Sequence, residues 1–171
     1  MLSNVVSSDN SKPTSDGGGF ALLWTPFVLV PEQLLDSDNH DLWLNFLRRR
    51  IPRDQKIAQR LFSQWRCACL YEVKNDEQQH IIALLLQKAI EKELETVVCA
   101  VRQGERVALV CIKDGALQLG NIYEAATKEQ LLFWVLTIYK QLQLPDSTPL
   151  YIQCGDGTRK LLYSHLDTRE L

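Results

Sequence analysis

No apolar run in this chain approaches the roughly 20 residues that a membrane-spanning helix needs, so no helix is expected to cross a bilayer. Charge of one sign is also not in excess. Nineteen Lys and Arg stand against 21 Asp and Glu, and a net charge of −2 gives no whole-chain attraction to nucleic acid or an anionic membrane. Histidine is scarce: His40, His80 and His165 lie far apart, and each precedes or enters a helical pattern. No Ser, Cys or Lys sits in a motif that marks a nucleophile. The five cysteines are odd in number, lie in apolar runs and follow no secretion signal, since Met1 to Val6 has neither a basic start nor a long apolar stretch. They read as reduced, buried small hydrophobes of a cytoplasmic protein rather than a disulfide framework.

What is present is ordinary for a globular protein: 46% hydrophobic and 23% charged residues, over a length suited to one or two small domains. Ser7 to Gly19 is Ser, Asp, Pro and Gly, and reads as a disordered leader. Its triple glycine has neither the strand before it nor the helix and Lys after it that a phosphate loop requires. Phe20 to Val30 predicts a strand, broken or placed at an edge by Pro26. Pro31 to Leu35 predicts one helical turn, and Asp38 or Asn39 caps a helix through Arg50 with Leu42, Trp43, Phe46 and Leu47 as its stripe. Gln55 to Phe62 predicts a short helix or irregular segment, and Arg66 to Lys74 a strand. Asn75-Asp76 then caps a long helix, Glu77 to Leu94, with Ile81, Ile82, Leu85, Leu86, Ala89 and Ile90 facing inward.

The second half is more sharply punctuated. Thr96 to Val101 predicts a strand, turned by Gln103-Gly104, and Arg106 to Ile112 returns. Asp114-Gly115 is a tight hairpin signature, after which Ala116 to Tyr123 forms a third strand. Thr127, with Gln130 three residues later, writes a capping box for a helix running to Leu142. Leu131, Leu132, Trp134, Val135, Ile138 and Leu142 make that helix apolar over more than one face, so burial on both sides is expected. Pro149 to Cys154 is a fourth strand, expected to run parallel to the first because the helix is a right-handed crossover. Gly155-Asp156-Gly157 reads as a loop, and Leu161 to Leu166 as the start of one more helix.

Three strands, a helix and a strand are the core of the ribonuclease H and actin superfold. The expected class is therefore α/β (α+β), with a leader at 1–19, a reduced first lobe at 20–94 and a ribonuclease H-like second lobe at 95–171. The two halves can share one core.

The run Phe27-Val28-Leu29-Val30-Pro31-Glu32-Gln33-Leu34-Leu35 resembles the strand and Val-Pro-Glu entry of a bacterial family, domain of unknown function 3822. So do Gly115-Ala116-Leu117 through Asn121, Thr127 to Leu136, Tyr139 to Leu142, and Pro149-Leu150-Tyr151-Ile152 with its following glycine. The resemblance spans roughly Phe20 to Gly157 and implies an actin-like ATPase fold without an assigned activity. Against that pattern the chain is short, lacking the opening hairpin before Phe20 and ending soon after the fourth strand.

The same resemblance implies where nucleotide chemistry would sit. In actin-like ATPases a hairpin turn in each lobe carries an Asp and a Gly that hold phosphates and metal. Here that turn is Arg102-Gln103-Gly104, and the carboxylate position holds Arg or Gln. An arginine can meet phosphate directly, but Gly104 is equally explained by the positive φ of a tight turn. Gly155, Asp156 and Gly157 stand where a glycine pair would approach an adenosine, and are equally explained as a loop leaving a strand.

Two further constellations weigh less. Arg48, Arg49, Arg50, Arg53, Lys56, Arg60 and Arg66 give positions 41–66 a local net charge of +5, beside Trp43, Phe46, Phe62 and Trp65. Such a patch can bind RNA through phosphate contacts and stacking. The aromatics nonetheless lie at helical spacing with Leu42, Leu47 and Leu61, as core residues do. Cys67-x-Cys69 with His80 lacks a fourth ligand and zinc-site spacing, so no metal is expected. The expected function is a non-catalytic scaffold that binds a protein partner or itself, with no cofactor. Residual nucleotide binding at Gly104 and Gly155 to Gly157, and RNA association through 48–66, are the alternatives.

Overall fold

The computed structural model describes residues 21–35, 43, 56–75 and 78–171. The leader, most of the helix expected at 38–50, and Arg48, Arg49, Arg50 and Arg53 lie outside the described residues. In chain order the elements are β1 (Ala21–Leu23), β2 (Phe27–Pro31), β3 (Lys56–Phe62), β4 (Cys67–Val73), β5 (Gln78–His80) and α1 (Ile81–Glu91). They continue with β6 (Val97–Gln103), β7 (Arg106–Lys113), β8 (Ala116–Glu124), α2 (Lys128–Gln141), β9 (Leu150–Gln153), α3 (Asp156–Tyr163) and β10 (Thr168–Glu170).

The expected meander forms. β6, β7 and β8 are antiparallel neighbours, and β9 runs parallel to β6 with Val98 opposite Leu150. A further parallel strand, β10, pairs with β9, so the sheet order is β10-β9-β6-β7-β8. The expectation that the pattern ends near the fourth strand is corrected: α3 and β10 add a further crossover and a fifth strand. A register shift between Cys111 and Ile112 places Leu117 on one face of the sheet and Leu119 on the other.

The first half supplies a three-stranded sheet, β2-β4-β3, and the short parallel pair β1-β5. Two expectations are corrected here. Gln55 to Phe62 is not helical: Lys56–Phe62 pairs residue for residue with β4. The long helix begins at Ile81 rather than Glu77, because Gln78–His80 pairs with β1 first.

α1 lies between the two sheets. Ile81, Ile82, Leu85 and Leu86 join one apolar cluster with Cys69 and Tyr71 of β4 and with Val97, Cys99, Ala108 and Val110 of the large sheet. The halves thus share one core. β8 approaches β2 so closely that a Cβ on Gly120 would stand 2.6 Å from the Leu29 side chain. The opposite face of the large sheet buries Val98, Ala100, Leu109 and Cys111 against Leu131, Val135, Ile138 and Tyr139 of α2.

The N-terminus of α1 is set by His80, which is fully buried. Its Nδ1 accepts from the Ile82 N–H at 3.2 Å, which requires that Nδ1 carry no proton. Nε2 then donates to the Thr25 carbonyl at 2.9 Å. The rings of Phe27 and Tyr71 lie 4.9 and 5.3 Å from the imidazole centroid. Burial pushes the imidazole's pKa from its ordinary 6.5 down to about 4. Because the folded value is depressed, this contribution to stability is complete above about pH 6.5 and is lost as pH falls toward 4. The loss should total roughly 3 kcal/mol. Urea melts of the wild type between pH 7 and 4 should show it, and His80→Asn, which retains a cap acceptor, should flatten the slope. An equal slope in both proteins would remove His80 as its cause.

α2 carries the capping box as expected: Thr127 Oγ1 accepts from Gln130 N–H, and the Gln130 side chain accepts from Thr127 N–H. The second cover expected from the long helix, or else from a second subunit, is not supplied by the long helix. α1 covers the other face of the sheet, and Phe133 and Leu136 of α2 are exposed, at 60% and 36%. Trp134 is half-buried, stacked on Tyr123 at 4.5 Å with its indole N–H on the Glu124 carbonyl at 2.9 Å. Leu131→Ala should therefore cost about 2–5 kcal/mol, whereas Phe133→Ala should stay within about 0.5 kcal/mol. Similar losses for the two in denaturant melts would refute the one-sided packing.

Candidate functional site

The β6–β7 turn and the segment after β9 lie at the same, carboxyl end of the parallel strands, where Val101 stands opposite Gln153. Ligands of open α/β sheets bind at this end. Gly104 adopts φ +59° with no atom near its missing Cβ, so the turn's backbone alone calls for glycine. Gly155 and Gly157 have ordinary φ and open space around them, so neither a positive φ nor a close approach explains them. Gly155-Asp156-Gly157 is not a loop: Gly155 is the N-cap of α3, and Asp156 and Gly157 lie in its first turn. Asp156 there complements the positive end of the helix.

The side chain that joins these parts is Arg102. Its Nη1 donates to Thr158 Oγ1 on α3 at 3.1 Å. Its Nη2 donates to the carbonyls of Ala125 and Ala126, between β8 and α2, at 3.2 and 3.0 Å. One guanidinium thus ties the first hairpin, the entry to α2 and the first turn of α3. The arginine that could meet phosphate here has both Nη groups on the protein itself, while its buried Nε has no partner. Thr158, its buried partner, had no signal in the sequence, because a lone Thr after Gly-Asp-Gly reads as loop.

Cys154 and Arg159 border this junction. Burial pushes the Cys154 thiol's pKa up, which disfavours the thiolate. Arg159 pairs with Glu170 of β10 at 3.4 Å, which holds α3 to the edge of the sheet.

The remaining candidates do not converge on this end. Lys56 is exposed at the start of β3. Arg60 donates to Gln87 at 3.3 Å and lies over the Phe62 ring, so it braces β3 against α1. Phe62 is buried, so its ring is not free to stack a base, and Trp43 is half-buried beside Val30 and Leu70 with its N–H on the Leu34 carbonyl. Cys67 and Cys69 share one buried face of β4, and burial raises both thiol pKa values. Both nitrogens of His80 are already engaged, and among the described residues no three His, Cys, Asp or Glu side chains are grouped to hold a metal.

A five-stranded ribonuclease H-like sheet joined to a second small sheet defines the class as an actin-like fold. The structure is similar to a crystal structure from Bacteroides thetaiotaomicron, described as a protein with actin-like ATPase fold and unknown function. The TM-score is 0.62 at 15% identity, over 81% of this chain and 60% of that one. Among curated proteins none matches the sequence. The chain belongs to the family described as protein of unknown function (DUF3822), whose pattern matches residues 23–167.

Arg102→Ala should cost about 1.5–3 kcal/mol, the range for hydrogen bonds to a charged group. Arg102→Lys should recover less than half, since an ammonium cannot reproduce the planar fork. Denaturant melts of the two variants decide this; full recovery by Lys would mean that charge, rather than bridging geometry, is what matters.

Proposed function

We propose that this protein is a non-catalytic actin-like module that acts by binding a protein partner in the cytoplasm. The observation that carries this reading is the Arg102 bridge. Where the resemblance implies a carboxylate for Mg2+, a guanidinium stands. A cation there repels a metal ion. Its Nη1 and Nη2 already donate to Thr158, Ala125 and Ala126, while its buried Nε has no partner, so turning the two Nη groups toward a phosphate would first cost those contacts. Asp156, in the first turn of α3, adds like charge against a phosphate at that helix end. The cytoplasmic setting fits five free cysteines, four of them buried.

Residual nucleotide binding is the second reading. It draws support from the convergence of Gly104 and Gly155 at one end of the parallel strands. Nucleotide melts separate the two. A site with a Kd of about 10 μM would add about 2.7 kcal/mol of stability at 1 mM ligand, a shift of several degrees in a domain this size. The expected result is no concentration-dependent shift with ATP, ADP or GTP plus Mg2+, and phosphate release equal to the buffer control. A saturable shift lost in Gly155→Val would overturn the proposal in favour of the nucleotide.

A further inference from the structure

The two edges of the large sheet are unlike. β10 is three residues long and flanked by the Arg169–Asp167 and Arg159–Glu170 ion pairs, a short charged edge that discourages pairing. β8 is nine residues long, its only charge is Glu124 at the end, and no described strand pairs with its outer side. Side chains occupy two of its backbone groups instead. Asn121 Oδ1 takes the Ile122 N–H at 2.9 Å, and the Trp134 indole takes the Glu124 carbonyl. Both are exchangeable for the backbone of an added strand.

Two grooves flank this end of β8. One, of about 410 Å3, is walled by Trp24, Phe27 and Ile122. The other, of about 550 Å3, is lined by Gln130, Phe133 and Trp134 together with Glu105, Arg106 and Glu124. Ile122 belongs to the cluster on the α1 face of the sheet, and Trp134 to the cluster on the α2 face. Successive side chains of a strand point to opposite faces, so an added strand would send neighbouring residues into the two grooves. Each has room for a large side chain. The carboxylates of Glu105 and Glu124 make no ion pair among the described residues, while Arg106 is held by the Trp24 carbonyl. Arg106 keeps its charge, so the lining of this groove carries one net negative charge.

From this we infer that the β8 edge captures an extended segment of a protein partner, added as a strand. The segment carries two adjacent large apolar residues and a Lys or Arg beside them. Main-chain bonds supply affinity and the grooves supply selectivity. The inference deepens, and rests on, the reading of the protein as an interaction module.

A library of linear peptides displayed on phage, selected against the full chain, tests it. Enriched sequences should pair adjacent apolar residues with a basic one. A synthetic copy should bind at least tenfold more weakly to Phe133→Ala and to Glu105→Lys with Glu124→Lys. N-methylation should abolish its binding at every second amide and be tolerated at those between. Absence of enrichment, enrichment of acidic sequences, unchanged binding by the variants, or indifference to the methylation pattern would each overturn the inference. So would a concentration-dependent dimer broken by Glu124→Lys, which would make the occupant a second copy. Nucleotide melts on the wild type and on Phe133→Ala keep the two readings apart: a saturable shift there would sink the non-catalytic reading, while the peptide results alone judge the edge.

Discussion

The structure depends on the burial of one short helix between two sheets. α1 carries Ile81, Ile82, Leu85 and Leu86, all fully buried, and with buried Ala83 and Ala89 the covered arc reaches roughly 200°, too wide for a single contact surface. Burying each such side chain contributes about 1.5–3 kcal/mol. Four together rival the net stability of a typical domain, about 5–15 kcal/mol. The helix can reach that state only with a covering layer on each side. The large sheet provides one, and β4 provides the other through Cys69 and Tyr71. His80 fixes where the helix starts, and it does so while buried, which is why a neutral imidazole rather than a carboxylate serves as the cap.

Much of this was legible where local chemistry alone decides structure. The Asp114-Gly115 turn and the Thr127–Gln130 box each need only a few neighbouring residues, and both form as written. The failures occur where a distant partner decides. Lys56–Phe62 lacks clean alternation because Arg60 lies along the surface of α1 and Leu61 points to solvent, so only pairing with β4 makes it a strand. Gln78–His80 looks like a polar helix start because its partner is a three-residue strand 57 positions earlier. Leu132, Trp134 and Leu142 made α2 read as doubly buried but are only partly covered, since a sequence cannot distinguish a residue covered by its own chain from one left for another.

The candidate site was half legible for the same reason. Its glycines were visible, but their meaning depends on what faces them. Gly104 is a turn residue, and Gly155 starts a helix with no side chain to cap it. The decisive contact joins Arg102 to Thr158, 56 residues apart, and no periodicity encodes it. An arginine in place of a carboxylate reads equally as a lost metal ligand or a gained phosphate ligand. Its three internal partners weigh on that choice, because turning those donors toward a ligand would give up contacts already made.

Such a bridge has a consequence for how the fold stays closed. Where two lobes meet only at their margins, a bound ligand can supply the free energy that holds them together. Here contacts within the chain join them. α1 contributes to both, Gly120 lets β8 come within contact of Leu29, and the Trp24 carbonyl receives Arg106 from the far sheet. Arg102 performs at the carboxyl end of the strands the cross-linking that a phosphate could otherwise perform, by linking the hairpin to α3. Among the described residues, the surface that the core leaves uncovered includes the outer face of α2 and the outer side of β8.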